Sequence, residues 1–336
     1  MTALFDLPKA ELHLHIEGTL EPDMVFALAA RNGIDLPFEG VDDLRSRYSF
    51  DDLQSFLDLY YDCMSVLRSR QDFADLATAY LVRASAQGVR HVEMFFDPQA
   101  HTARGVAIDD VIDGLTDALD DAGRRFGITG GLILCFLRDQ PVEGALATLE
   151  SVASRTGDLL GVGLDSAEVG YPPSLFTAVY DRARELGLHT VAHAGEEGPP
   201  AYVWEALDLL KVERIDHGVR SIEDPALVER LRVDAIPLTV CPLSNVRLGG
   251  VPSLAAHNLH ELLARGLLVT INSDDPAYFG GYVGDNFEAV RASLGLNDAD
   301  AATLAANSIT ASFAPDERKA QLIAEIAEWA SAHGSV

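Results

Sequence analysis

Hydrophobic and polar positions change their period along this chain. Short apolar runs rich in β-branched residues alternate with stretches whose apolar residues recur every three or four positions. The short runs cover residues 11–18, 91–97, 132–137, 162–165, 190–193, 214–217, 237–241 and 269–273. The stretches between them read as helices, for example 173–186 and 259–265, and a last helical segment covers 299–332. Strands alternating with helices form a parallel sheet joined by right-handed crossovers. Eight such units predict an α/β protein, a (β/α)8 TIM barrel.

One interval is too long for a single crossover. Helical patterning fills about residues 22–88, which predicts a small helical lobe inserted after the first strand. Ser49, Phe50, Asp51 and Asp52 read as a helix start, with a cap residue followed by an acid three positions later. Leu53, Phe56, Leu57, Tyr60, Met64 and Leu67 then keep helical spacing, which is read as a core-facing stripe. Ser69 and Asp72 repeat the start signal, and Gly88 is the expected stop. No repeat or linker-like stretch divides the chain, so residues 1–336 are expected to form one domain.

Within the first run, His13 and His15 are two apart and share one side of an extended strand. Leu12, Leu14 and Ile16 take the other side, and Gly18 is read as the turn that leads the chain away. Nearly every later run also ends on a residue that chemistry can use: Asp97, Asp165, His193, His217 and Asp274. Barrel enzymes assemble their sites at this C-terminal rim.

Charge narrows the choice of partner. Asp plus Glu number 52 against 25 Lys plus Arg, a formal charge of −27. Such a surface repels phosphate backbones and anionic membranes, which argues against nucleic acid or membrane partners and favours a small neutral or cationic substrate. The three cysteines form no paired motif, the N-terminus carries no signal-like run, and no stretch is apolar enough to span a bilayer. A cytoplasmic location is the expectation. The sequence does not specify an oligomeric state.

Four residues are candidate metal ligands: His13, His15, His193 and Asp274. Three imidazoles and a carboxylate suit Zn²⁺ with a position left for water, one ion per chain. Glu196 lies three residues beyond His193, across the small Ala194 and Gly195, where a carboxyl group can act as a general acid or base beside the metal. His217 is a second proton handler, and Asp216 or Asp165 either fixes its tautomer or serves in an ordinary salt bridge. Asp274 and Asp275 are adjacent and should divide the work, Asp274 on the metal and Asp275 on substrate or attacking water. The 257–261 stretch, with His257, His260 and Glu261, matches neither zinc-helix motif and reads as an exposed helix start. Tyr278–Phe279–Gly280–Gly281–Tyr282 either covers a flat ring or packs the rim.

Four motifs carry a resemblance: Pro8 to His15, His193-Ala194-Gly195-Glu196, Ile215-Asp216-His217-Gly218 and Ser273-Asp274-Asp275-Pro276. Together, and in this order over nearly the whole chain, they resemble the signature set of the adenosine/adenine deaminase family. The resemblance implies a zinc-dependent amidohydrolase-type barrel in which His13, His15, His193 and Asp274 hold zinc. It also implies that Glu196 donates a proton, His217 assists the attacking hydroxide and Asp275 contacts the purine. Nucleoside deaminases carry a small glycine-containing segment after strand four, near the purine N3 and the ribose. Here the segment is Leu164-Asp165-Ser166-Ala167-Glu168-Val169-Gly170, which looks like the adenine branch. Ser166 and Glu168 are therefore expected purine contacts. An ionised Glu168 would accept N9–H of free adenine and block ribose. A site built to bond an N–H rejects an analogue lacking it by roughly 10⁴. The implied reaction is hydrolysis of adenine to hypoxanthine and ammonia, a purine-salvage step. Adenosine or an N6-substituted adenine is the nearest alternative substrate, and a non-catalytic purine-binding barrel is a more distant reading.

Overall fold

The computed structural model describes residues 3–50 and 53–333. Eight strands run β1 Lys9–His15, β2 Val89–Phe96, β3 Thr129–Leu137, β4 Gly161–Asp165, β5 His189–Ala194, β6 Arg214–His217, β7 Leu238–Val240 and β8 Val269–Ile271. They hydrogen-bond in sequence order, and every pair is parallel. One bridge between Leu14 and Asp274 brings the two ends together. There the His15 N–H donates to the Asp274 carbonyl at 3.1 Å, and the Asp274 N–H donates to the His13 carbonyl at 3.1 Å. The barrel is thus nearly closed, and its seam lies at the C-terminal rim.

All seven residues of β1 are buried, as a parallel strand covered on both faces requires. Leu12, Leu14 and Ile16 join the large core outside the sheet. A smaller cluster of Phe95, Ile133, Cys135 and Val191 packs separately. Buried charge is also present: Arg214 pairs with Glu93 at 2.6 Å, both fully buried, and donates to the Leu12 carbonyl at 3.2 Å. At the start of β1, the buried Lys9 ammonium donates to the carbonyls of Leu4, Leu7 and Gln87.

The helical interval resolves into Pro22–Asn32, Val41–Ser46, Leu53–Met64 and Arg70–Ala86. Asp51 and Asp52, half of the first expected start signal, lie outside the described residues. The second signal forms: the Ser69 N–H donates to Asp72 Oδ2 at 2.9 Å. Helix Arg70–Ala86 packs against helix Ile108–Phe126 so closely that a Cβ on Gly114 would lie 2.3 Å from the Arg70 carbonyl oxygen. It therefore serves as an ordinary barrel helix. Helix Leu53–Met64 instead lies across the mouth, where Leu53, Phe56, Leu57 and Tyr60 line the cavity above the strand ends. Its apolar stripe is core and cavity wall at once.

The last helical segment is two helices, Asp298–Ala311 and Asp316–His333. Pro315 sits in the break, where its missing N–H removes nothing from a helix interior. The break brings Phe313 onto the His189 ring, 4.0 Å between centroids, while its N–H donates to Glu93 Oε1 at 2.5 Å.

Candidate active site

Seven chemistry-bearing side chains meet at the rim. β1 supplies His13 and His15, β5 supplies His193, β6 ends on His217, and the residues after β8 supply Asp274 and Asp275. Glu196 follows β5. His15 Nε2 lies 3.1 Å from His193 Nε2. Asp274 Oδ1 is 3.4 Å from His13 Nε2 and 3.6 Å from His15 Nε2. His217 Nε2 is 3.5 Å from Glu196 Oε1 and 3.7 Å from Asp274 Oδ2. Donor atoms of His13, His193, His217 and Asp274 all lie within 4.8 Å of one another, and those of His15, Asp274 and Asp275 form an overlapping group.

The outer nitrogens of the three histidines explain how the inner ones are presented. Thr239 Oγ1 donates to Asp216 Oδ1 at 2.9 Å and lies 3.0 Å from His13 Nδ1. A hydroxyl has one proton, so it must accept from His13 Nδ1–H. In the neutral ring His13 Nε2 then carries the lone pair; burial opposes a charge here, but Asp274 Oδ1 at 3.4 Å outweighs it and raises this imidazole, so Nε2 is a position that favours a proton or a cation. His193 Nδ1 faces Asp216 Oδ2 at 3.6 Å, and His15 Nδ1 faces Asp165 Oδ2 at 3.5 Å. Carboxylates at these positions favour a proton on Nδ1 and leave Nε2 to the centre, as around metal-binding imidazoles. Burial pushes the His15 imidazole down to about 4 and His193 further below its ordinary range, so both are neutral near pH 7. Two facing Nε2 lone pairs repel unless a cation stands between them. The donor set therefore fits a divalent metal with N and O ligands. Asp216 and Asp165 serve these two rings, not His217 as the sequence suggested.

The proton donor's place is built by its surroundings. Glu196 is buried, and its carboxyl is held well above the usual range by burial and by the charges of Asp274 and Glu168. The neutral, proton-carrying form is favoured there accordingly. Glu168 does not reach the cavity, contrary to the expected N9 contact. Its Oε1 accepts from the Gly195 N–H at 2.7 Å, and its Oε2 accepts from the N–H groups of Glu196, Glu197 and Gly198 at 3.1, 2.8 and 2.7 Å. Consecutive N–H groups with no strand partner need an acceptor, and Glu168 supplies it. Arg138, buried and not anticipated from sequence, donates to the His193 carbonyl at 2.7 Å and the Tyr171 carbonyl at 2.9 Å.

Asp274 is fixed from behind. The Ser273 hydroxyl and N–H both donate to Glu11 Oε1, and Tyr80 Oη donates to Glu11 Oε2 at 2.5 Å. Asp275 is buried, with one oxygen lacking a partner. A Cβ on Gly18 would fall 2.0 Å from that oxygen, so Gly18 is present for close approach and not as a left-handed turn. His217, Asp274 and Ser166 adopt φ of 62°, 66° and 69°. Non-glycine residues in the left-handed region cost about 1 kcal/mol or more each, and such strain concentrates at functional sites. Ser166 lines the cavity, with its hydroxyl 3.3 Å from Tyr61 Oη. Phe279 lines it as well, whereas Tyr278 stacks on Tyr48 in the wall behind.

The family model described as adenosine deaminase matches residues 8–329. This chain belongs to the adenosine deaminase family. Within that family it is 61% identical over 326 residues to a protein named adenine deaminase from Streptomyces coelicolor, covering 96% of each chain. It is similar to the crystal structure of adenine deaminase from Arthrobacter aurescens, with a TM-score of 0.95 and 57% identity, covering 96% of this chain and 99% of that one. It also resembles an amidohydrolase from Burkholderia ambifaria with bound zinc, at a TM-score of 0.90 and 29% identity, covering 98% of this chain and 93% of that one. The motif set that carries the resemblance is the one that converges here.

Sequence reasoning missed two further residues. The 257–261 stretch is not wholly exposed, because His257 is buried behind the site. Its Nε2 lies 3.2 Å from Asn245 Oδ1, and Asn245 Nδ2 lies 3.3 Å from His217 Nδ1. Among the described residues, no helix is long and apolar enough to cross a membrane.

Proposed function

We propose that this enzyme hydrolyses adenine to hypoxanthine and ammonia, with one zinc ion held by His13, His15, His193 and Asp274. A cation in that donor set supplies the Lewis acidity that makes water a nucleophile at neutral pH. Glu196 donates its proton to the purine N1, so the ring accepts electrons without building a full negative charge. His217 Nε2 and Asp275 hold the attacking oxygen in line with C6. The amino group leaves as ammonia with one proton from the water, and the water's other proton restores Glu196. Helix Leu53–Met64 and Phe279 exclude bulk water and offer apolar walls to a flat base. The barrel and its helical cover act as one catalytic unit in the cytoplasm.

One observation carries this reading: the buried Glu196, its carboxyl held well above the usual range, lies 3.5 Å from His217 in a cavity lined by His15, His193 and Asp274. The names of the most similar relatives support adenine as the substrate. With Glu168 occupied by the 195–198 loop, selection against ribose falls to the wall. The Tyr61–Ser166 pair stands there after strand four, the side on which the resemblance puts N3 and the sugar. Ammonia release from adenine, adenosine and 6-alkylaminopurines, run beside zinc analysis, tests the proposal. Adenine should be preferred over adenosine by about 10³ or more in kcat/KM, with one zinc per chain. Comparable rates on adenosine, or no ammonia from adenine, would overturn it.

A further inference from the structure

His217 is the end of a hydrogen-bond chain whose direction can be derived atom by atom. The chain starts at a group that can only donate, the Leu259 backbone N–H, which lies 3.0 Å from His257 Nδ1. His257 Nδ1 must therefore be the bare, accepting nitrogen. Burial pushes this imidazole down to about 4, so the ring is neutral and its single proton sits on Nε2. His257 Nε2–H then donates to Asn245 Oδ1 at 3.2 Å. That contact orients the amide, because the other end of Asn245 must be its NH₂ group. Asn245 Nδ2–H donates in turn to His217 Nδ1 at 3.3 Å. His217 is left with a bare Nδ1 and a proton on Nε2, the nitrogen that points at Glu196 and Asp274.

We infer that Asn245 and His257 are positioning residues that fix His217 as the Nε2–H tautomer. His217 thereby faces the attacking oxygen as a hydrogen-bond donor and not as a base. The relay is rigidly mounted. Asn245 is 2% exposed on helix Pro242–Arg247, and its carbonyl accepts from the Val251 N–H at 2.9 Å. His257 is 4% exposed, and the neighbouring Asn258 Nδ2 donates to the Val219 carbonyl at 2.7 Å, tying the 257–259 turn to the loop after β6. The contrast with the metal-facing rings gives the arrangement its meaning. His13, as a neutral ring, presents a lone pair on Nε2 because Thr239 accepts its Nδ1 proton. His217 presents a proton on Nε2 because an amide donates to its Nδ1. Histidines a few ångströms apart are thus set to opposite tasks by the group behind each ring.

The inference rests on the proposed role of His217 in deamination, and the test separates the two. In the intact wild-type protein with ¹⁵N-labelled histidine, measured both metal-free and zinc-loaded, the His217 nitrogens should report a protonated Nε2 and an unprotonated Nδ1. An Nδ1–H tautomer would overturn the inference whatever the enzyme's activity. Asn245→Asp replaces the donor with an acceptor and should invert those two resonances. It should lower kcat on adenine by about 10²-fold or more while KM changes by less than about threefold, with zinc content retained. His257→Gln keeps an N–H for Asn245 and should hold the wild-type tautomer, whereas His257→Leu should not. If Asn245→Asp proves unstable, the His257 pair carries the comparison. Identical tautomers and rates across all variants would reduce the relay to packing. No turnover of adenine by the wild type would refute the substrate assignment but leave the tautomer result standing.

Discussion

Glu196 lies in a buried place, among carboxylates that disfavour its anion. Asp274 sits across the cavity, Glu168 lies beneath its own backbone N–H, and little water reaches any of them. The group is an acid because of where the fold puts it, which is the condition for giving a proton to a ring nitrogen near pH 7. Glu196→Gln keeps the shape and removes the proton. Turnover of adenine should fall by about 10²–10⁴ with zinc content unchanged. A rate within tenfold of wild type would remove Glu196 as donor. His15 and His193 depend on their outer nitrogens in the same way, since Asp165 and Asp216 decide which nitrogen faces inward. The role of Glu196 was legible in the sequence, whereas which acid stands behind which ring was not. The histidines and acids were visible as residue types at strand ends, but pairing them needed distances between positions tens to hundreds of residues apart. Glu168 shows the limit plainly: a carboxylate in the right segment suggested a base contact, whereas its partners are backbone N–H groups that every residue carries.

Helix Leu53–Met64 and the 195–198 loop are the two elements that turn a set of ligands into an enclosed site. Glu168 holds the loop through four backbone donors. Glu168→Gln offers an amide NH₂ where acceptors are needed. It should depress kcat/KM for adenine and adenosine together and leave their ratio within about threefold, a loop-geometry effect on catalysis. A selective gain on adenosine would restore Glu168 to the purine pocket. The helix contributes Tyr61, which also borders an outer cavity of about 540 Å³ that includes Gln99, Leu137 and Gln140. Tyr61→Ala should merge that space with the reaction cavity. The rate on 9-methyladenine relative to adenine should rise at least about tenfold, while 6-methylaminopurine gains less. The sequence announced this helix by its apolar spacing, and the stripe is buried as expected. That the same residues face substrate space could not be read, because helical periodicity identifies a covered face without saying what covers it.

Across the whole molecule, the eight strand positions and their order followed from the alternation of periods, and the observed strands overlap every expected run. β7 and β8 came out shorter than their apolar stretches, at three residues each, and just past β8 the Asn272 side chain takes the place of a backbone acceptor, its Oδ1 accepting from the Leu12 N–H at 2.9 Å. The final helical segment broke at Pro315 to bring Phe313 and its N–H to Glu93. Glu93 and Arg214 link β2 to β6 as a buried ion pair. Arg214 and His91 outweigh burial and pull the Glu93 carboxyl down to about 2 from an ordinary 4.5. A depressed acid stabilises the fold above its unfolded pKa, and that contribution fades as pH falls from 4.5 toward 2. Glu93→Gln should lower stability at pH 7 by about 3–5 kcal/mol and by much less at pH 3, read as urea midpoints at the two values. An equal loss at both would assign the effect to packing.

The seam between β1 and β8 is the thinnest join in the barrel, with two backbone bonds at His13, His15 and Asp274. Those three residues also offer the donor atoms that a cation would grip. A bound ion would act there as a rivet, closing the cylinder and arming the chemistry in one event. Stripping it with a chelator should lower the melting temperature, and the stability lost should grow with the zinc concentration of the control, to about 4 kcal/mol at a thousandfold excess over Kd. The amides of His15 and Asp274 should begin to exchange before those of β2 and β3. Equal protection with and without metal would mean that the join holds by itself. If it does not, a cell short of zinc loses this protein by unzipping and proteolysis, not by accumulating an idle but sturdy shell.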